Sequence, residues 1–247
     1  MIEQCIEVSK LYPAHLEVGN SKFDKIEFTK GNRLDYYLET HKFPLENFPI
    51  ARLKRNGNTW MSITPMELES HITHVLEATG DVLVGGLGMG YYITQIVAKA
   101  DVRSVTVIEK DIEVIQAYKK LIESNPTAFD NSKLHIMHGD MFDLIPKLDK
   151  KFEYNYAYLD IWLDMCFDAI SSDLEKLNDI GGINCTKLGF WGMEKFVYEK
   201  FKEYHHEYGP EEMLEMIQDE LVDNFGSVME WCYKPSIELF IQLDVCK

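Results

Sequence analysis

Glycines at positions 85, 86, 88 and 90, with carboxylates at Glu109 and Asp140, form the pattern in this chain that best suits binding a ligand. Gly85, Gly86, Gly88 and Gly90 close the run VLVGGLGMG, in which a β-branched apolar stretch, Val82 to Val84, feeds straight into a glycine cluster. Glycines let the backbone take positive φ and let a ligand approach the main chain closely. A helix opening near Gly90 would aim its free N–H groups at polar or negative groups. A second apolar run, Ser104 to Ile108, ends on Glu109, nineteen residues past Gly90. A strand–turn–helix–strand unit puts an acid there that can accept two hydrogen bonds from ribose hydroxyls. The spacing predicts an adenosine-type cofactor. Glycines also mark ordinary turns, so the reading rests on strand, glycines, helix, strand and acid occurring in that order.

Such a unit needs a sheet to hold it, and the rest of the chain supplies one. The pattern predicts strands at 81–86, 104–109, 133–137, 154–160 and 182–187, alternating with helices at 90–99, 111–123 and 164–178. A helix precedes them from Pro65 to near Gly80, with Thr64 as N-cap, Pro65 in the first turn and Glu67 three residues after the cap. Amphipathic helices at about 192–206 and 210–224 follow, and SVMEWCYK and SIELFIQLD pair most simply as a closing antiparallel hairpin. The fold class is α/β, a doubly wound, mostly parallel seven-stranded Rossmann-like sheet over 65–247. Residues 1–64 form a small β-rich N-terminal extension of hairpins, with FDKIEFTK and RLDYYLET split by Gly19, Asn20, Gly31 and Asn32.

VLVGGLGMG with Glu109, and HGDMF at 138–142, resemble the cofactor motifs of class I S-adenosylmethionine-dependent methyltransferases, over roughly residues 80–190. The resemblance implies S-adenosylmethionine as cofactor. The turn of Gly86, Gly88 and Gly90, preceded by Gly85, would wrap its methionine part, and Glu109, with Lys110 beside it, would hold the ribose. Asp140, after Gly139, would accept from the adenine amino group, with Met141 packed on the ring. Asp140 also fits a helix N-cap ahead of MFDLIPKL, and both roles can coexist.

Within that family, TWMSITPMELESHITHVL, VLVGG and SVTVIEKDIEVI look like the spermidine synthase branch, the aminopropyltransferases. Two departures separate the chain from that activity. The branch carries an Asp in its glycine turn that suits the cationic amine of a decarboxylated cofactor, and here Gly88 or Met89 stands there. Its catalytic DxxDP loop would begin at Asp160, but the chain reads DIWLDM, with Leu163 and Met165 where Asp and Pro belong and Asp164 displaced by one residue. The expected function is methyl transfer from intact S-adenosylmethionine to a small-molecule or protein acceptor. Aminopropyl transfer and a non-catalytic nucleoside-cofactor binder are the alternatives.

Open α/β sheets place chemistry at the carboxyl ends of their strands. That makes Asp160 the catalytic candidate, to orient an amine nucleophile or accept its proton, with Trp162 nearby to pack on a cation. The competing reading is that Asp160 caps a helix while Asp164 and Asp168, at four-residue spacing, are solvated. In-line methyl transfer needs little acid–base help, because positioning alone supplies on the order of 7–11 kcal/mol in favourable cases. No (D/N)PP(Y/F) motif and no Pro-Cys pair occurs, so amino-methylation of nucleic acid bases and attack on cytosine are discounted. Lys187, Phe190 and Trp191 follow the fifth strand at the edge suited to an acceptor pocket. Alternating Tyr154, Tyr156 and Tyr158 read as strand core. Residues 192–225 are read as a lid or an oligomer surface, such as that of a homodimer.

Composition bounds the partners. A net charge of −16 repels phosphate backbones, so long nucleic acid is not expected and a cationic acceptor is favoured. Arg52, Lys54 and Arg55 form the one compact basic cluster, read as a solvated face. No stretch approaches the roughly 20 apolar residues of a membrane helix, and the N-terminus lacks a basic-then-apolar leader. A cytoplasmic protein is expected. Cys5, Cys166, Cys185, Cys232 and Cys246 show no CxxC or zinc-like spacing and are expected to be reduced and mostly buried. His71 and His74, and His205 and His206, lack a further ligand at metal spacing, so no metal is expected.

Overall fold

The structure, a computed structural model, describes residues 2–27, 49–204 and 208–226. RLDYYLET, the pair His205–His206, Cys232, Cys246 and the closing hairpin of SVMEWCYK and SIELFIQLD lie outside the described residues.

The chain begins with a helix that the sequence reading missed, α1 (Ile2–Lys10). Nine residues are too few to show a convincing period. Its buried face is Cys5 and Ser9, one turn apart, and Ser9 Oγ accepts the backbone N–H of Ala51 at 3.1 Å. Four antiparallel strands follow in the order β1 (His15–Val18), β2 (Ser21–Glu27), β3 (Pro49–Arg55) and β4 (Asn58–Ser62). Gly19 and Asn20 turn between the first two, as expected. Asn56 and Gly57 join the last two with φ of 49° and 83°, the positive pair that a two-residue hairpin of matching twist requires. Two of the three residues of the basic cluster on β3 are paired: Arg52 with Asp24 at 2.6 Å and Arg55 with Asp111.

Next comes α2 (Pro65–Glu77), whose cap Thr64 accepts the Glu67 N–H at 3.4 Å. Strands and helices then alternate: β5 (Gly80–Gly85), α3 (Tyr91–Val97), β6 (Val102–Glu109), α4 (Ile112–Ser124), β7 (Leu134–His138) and α5 (Met141–Leu144). The series continues with β8 (Tyr156–Leu159), α6 (Phe167–Asp179), β9 (Leu188–Phe190), α7 (Met193–Tyr204) and α8 (Pro210–Phe225). The five strands are parallel in the order β7-β6-β5-β8-β9. This is the doubly wound sheet the sequence predicts, with five of the seven expected strands among the described residues. Helices cover both faces, so the central strands read as apolar runs: Val82, Leu83 and Val84 are at most 2% exposed. The strand order reverses between β5 and β8, which opens a crevice at their carboxyl ends.

One strand moved. The run at 182–187 was expected as the fifth strand, but regular pairing starts only at Leu188, opposite Ala157. Gly181 and Gly182 take φ of 94° and 64°, which turns the chain. The segment after them meets β8's approach through an isolated bridge between Tyr154 and Cys185 and through the Asn184 amide, which donates to the Lys150 and Phe152 carbonyls. Among the described cysteines, burial pushes the thiols of Cys5 and Cys185 up to about 12, which keeps them protonated. Cys166, in the loop before α6, is exposed, against the expectation of burial. Among the described residues, no helix is long and apolar enough to cross a membrane.

Candidate functional site

The turn after β5 carries φ of 93° at Gly86, 51° at Gly88 and 76° at Gly90. Gly86 is glycine for two reasons: its φ disfavours a side chain, and a Cβ there would lie 2.1 Å from the Asp160 carbonyl oxygen. The Asp160 N–H donates to the Gly85 carbonyl at 2.8 Å, so the tips of β5 and β8 are tied together and Asp160 stands beside the turn. From the other side the N-terminal sheet reaches in. The Met89 N–H donates to Met61 Sδ at 3.1 Å, and the Tyr12 hydroxyl donates to the Met89 carbonyl at 3.0 Å. A Cβ on Gly88 would meet Met61 Sδ at 2.7 Å, so the thioether fills the space a side chain would take.

Glu109 ends β6 and spans the crevice. Its Oε2 accepts the Leu87 N–H at 2.9 Å and its Oε1 the Asp111 N–H at 2.7 Å. Burial raises its pKa above the ordinary glutamate value, opposed chiefly by the Leu87 N–H. A carboxylate offers about four acceptor positions, and two are used, so the residue fits a ribose diol. Asp140 caps α5, with Oδ1 accepting the Phe142 N–H at 3.0 Å, while Oδ2 accepts from Lys110 Nζ at 2.7 Å. The Lys110 ammonium holds that carboxyl below the usual aspartate range. Lys110 thus meets Asp140 rather than Glu109.

These residues share one cavity of about 840 Å³. Gly86, Gly88, Glu109, Lys110, Asp140 and Met141 line it, with Gly139 between them. Gly85 and Gly90 stand behind the wall: the first is buried at the end of β5, and the second opens α3 against the Tyr118 ring. Glu67, Asp160, Trp162 and Trp191 line the cavity as well, and Trp60 and Met61 of β4 complete the lining. Of the expected acceptor-pocket residues, Trp191 is therefore in place. Its Nε1 donates to Ser70 Oγ at 3.0 Å. Lys187 is not, because it extends over the surface to Glu77 at 2.7 Å, and Phe190 is packed in the core against Phe225. Asp164 and Asp168 are exposed, as the solvated reading has it.

Asp160 lies in a crowd of charge. Burial lifts its carboxyl to about 7, the neighbouring His71 pulling it down and Glu67 and Glu109 pushing it up. Its neighbours on α2 are what sequence reasoning overlooked. His71 Nδ1 lies 3.0 Å from the Tyr158 hydroxyl and its Nε2 3.2 Å from Glu67 Oε1. His74 Nδ1 lies 2.6 Å from the Tyr156 hydroxyl and its Nε2 2.9 Å from Glu194 Oε1. Both imidazoles are fully buried. Burial is the largest influence on His71 and opposes its charge, yet the hydrogen bond and charge of Glu67 prevail and its pKa stands above the ordinary histidine value. Glu67, expected three residues past a cap, turns inward to His71 instead of back to the helix start. The available signal was spacing: Glu67, His71 and His74 fall on one helical face, and the alternating tyrosines of β8 face it.

Comparison with known proteins follows this geometry. Residues 65–169 match the family model of the spermine/spermidine synthase domain. Among solved structures, spermidine synthase from Thermotoga maritima is 18% identical with a TM-score of 0.38, over 60% of this chain and 48% of that one. Spermidine synthase in complex with the transition state analogue AdoDATO is 19% identical with a TM-score of 0.37, over 58% and 44%. A candidate caffeoyl-CoA O-methyltransferase from Staphylococcus aureus is 17% identical with a TM-score of 0.38, over 66% and 70%. The chain spans about half the length of the two spermidine synthases it matches. A comparison with curated proteins gave no match.

Proposed function

We propose that the chain is an S-adenosylmethionine-dependent methyltransferase acting on a small-molecule or protein acceptor. The observation that carries this reading is the sharing of one cavity by Glu109, Asp140, Met141 and Asp160. When bound, S-adenosylmethionine supplies a methyl group on a sulfonium, a good leaving group. Glu109 accepts the ribose hydroxyls with its two remaining acceptor positions, and Met141 gives the adenine an apolar face. Asp140, fixed by the Phe142 N–H and Lys110, accepts the adenine amino group. Asp160, held to Gly85 through its backbone, accepts a hydrogen bond from the acceptor's nucleophilic atom and keeps it in line. Trp162 and Trp191 wall the acceptor side and exclude water.

A second reading, aminopropyl transfer, is favoured by the domain match over 65–169 and by the acidic lining that Glu67, Glu109 and Asp160 give the cavity, which suits a cationic amine. Against it, Asp164 is exposed and lines no part of the cavity, so the second acid of a paired-carboxylate loop is missing there. The space at Gly88 is also filled by the Met61 thioether, which would have to shift for a side chain to stand there.

Calorimetric titration separates the readings. S-adenosylmethionine, S-adenosylhomocysteine and decarboxylated S-adenosylmethionine are titrated into the wild type and into Glu109→Ala and Asp140→Ala. Micromolar binding of the first two, lost in the variants, supports methyl transfer, and transfer of labelled methyl to a screened acceptor separates an enzyme from a binder. Preference for the decarboxylated form moves the assignment to aminopropyl transfer, and no binding of any ligand defeats both.

A further inference from the structure

We infer that Glu67, His71 and Asp160 form a binding site for one divalent first-row transition-metal ion of the Zn2+ and Mn2+ class, open to the cavity. Each residue offers one ligand atom, and the three atoms all lie within 4.8 Å of one another. A tetrahedral metal with ligand bonds of about 2.0–2.2 Å spaces its donors roughly 3.3–3.6 Å apart, so Glu67 and His71, at 3.2 Å, already stand close to that spacing and movement of the Asp160 side chain by about 1 Å completes the set. The scaffold is rigid on both sides. Glu67 and His71 sit one turn apart on α2, and Asp160 is tied to Gly85 at the end of β8.

The imidazole is oriented as a metal ligand needs. With Nδ1–H donated to the Tyr158 hydroxyl at 3.0 Å, a metal takes the place of the proton that Nε2 shares with Glu67, and the lone pair so released faces the site. His74 takes no part, because its two nitrogens meet Tyr156 and Glu194. The charge balance calls for a cation. Among the described residues, no donor bonds the Asp160 carboxylate and no Lys or Arg forms an ion pair with Glu67 or Asp160, while the Glu109 carboxylate acts on Asp160 as well. A nitrogen with two carboxylate oxygens and no thiolate selects an intermediate ion, neither the soft copper(I) nor the all-oxygen calcium and magnesium. Three protein ligands leave a coordination position open. Because Glu67 and Asp160 line the cavity, that position faces the space where an acceptor oxygen or nitrogen would sit.

The site requires no bound cofactor, so its test is independent of the one above. The full chain, stripped with a chelator, is titrated with Co2+, following visible d–d absorption, with Zn2+ as competitor. The expected result is one Co2+ per chain, displaced by Zn2+, with affinity reduced at least tenfold in Asp160→Asn and in His71→Gln. Asp160→Asn is isosteric and decides the matter if the buried His71 variant fails to fold, its own fold being checked by circular dichroism. No d–d absorption in the wild type, or absorption and affinity unchanged in Asp160→Asn, overturns the assignment.

Discussion

Glu109 accepts the backbone N–H of Leu87 at 2.9 Å, so the carboxylate that ends β6 and the glycine turn that follows β5 are one hydrogen-bonded unit. The same side chain also orders the start of α4 through Asp111. A single substitution there tests both binding and turn geometry. Glu109→Gln keeps a side-chain oxygen for Leu87 but loses the charge, and should weaken S-adenosylhomocysteine about tenfold or more by calorimetry, as the loss of charge-assisted hydrogen bonds implies. Glu109→Ala should abolish measurable binding and lower the melting temperature as well.

Gly86→Ala places a Cβ against the Asp160 carbonyl at a φ of 93°. Urea unfolding should show a loss of about 2 kcal/mol or more, since strain at such a φ alone costs 1–3 kcal/mol. Cofactor binding should fall as well, because β5 and β8 must separate to admit the methyl group. Stability equal to wild type would show that the two tips are not closely packed.

Asp81 carries a pH signature. Hydrogen bonds from Arg103, whose Nε lies 2.9 Å from Oδ1, and from Ser104 hold its carboxyl below the ordinary aspartate value of 3.8. With the folded pKa depressed, the stabilisation is complete above 3.8 and disappears as pH falls through the folded pKa. Arg103 is 71% exposed, so solvent screening keeps the effect small. Asp81→Asn should therefore be less stable than wild type at pH 7, and the gap should close in denaturant titrations carried below pH 3.8.

His74 and Glu194 join α2 to α7 inside the protein, at 2.9 Å and with both side chains at most 3% exposed. Glu194→Ala leaves a buried imidazole nitrogen without its carboxylate and should cost about 2–4 kcal/mol in urea. A double-mutant cycle with His74→Phe should recover much of that loss. Strict additivity would mean that the two groups do not interact.

Spacing along the chain was enough to place the residues proposed to hold the cofactor. Val82 to Gly90, Glu109 and Asp140 are close in sequence to the elements that place them: a strand, its turn, the next helix, and the end of each following strand. Local propensity and spacing fix such positions before any long-range packing is known. The Asp140 cap was legible for the same reason. What only the tertiary structure decided involves pairs that no spacing rule connects. Glu67 and His71 meet Asp160 because α2 packs over β8, and the Tyr156 and Tyr158 hydroxyls reach the two histidines only in the parallel register of that sheet. Met61 meets the Gly88 turn because an antiparallel hairpin brings β4 to it, and Lys187 leaves the site because β9 starts later than its apolar run suggests. Buried polar groups have to find partners, and which partner each finds depends on how the layers stack, which is a property of the whole chain.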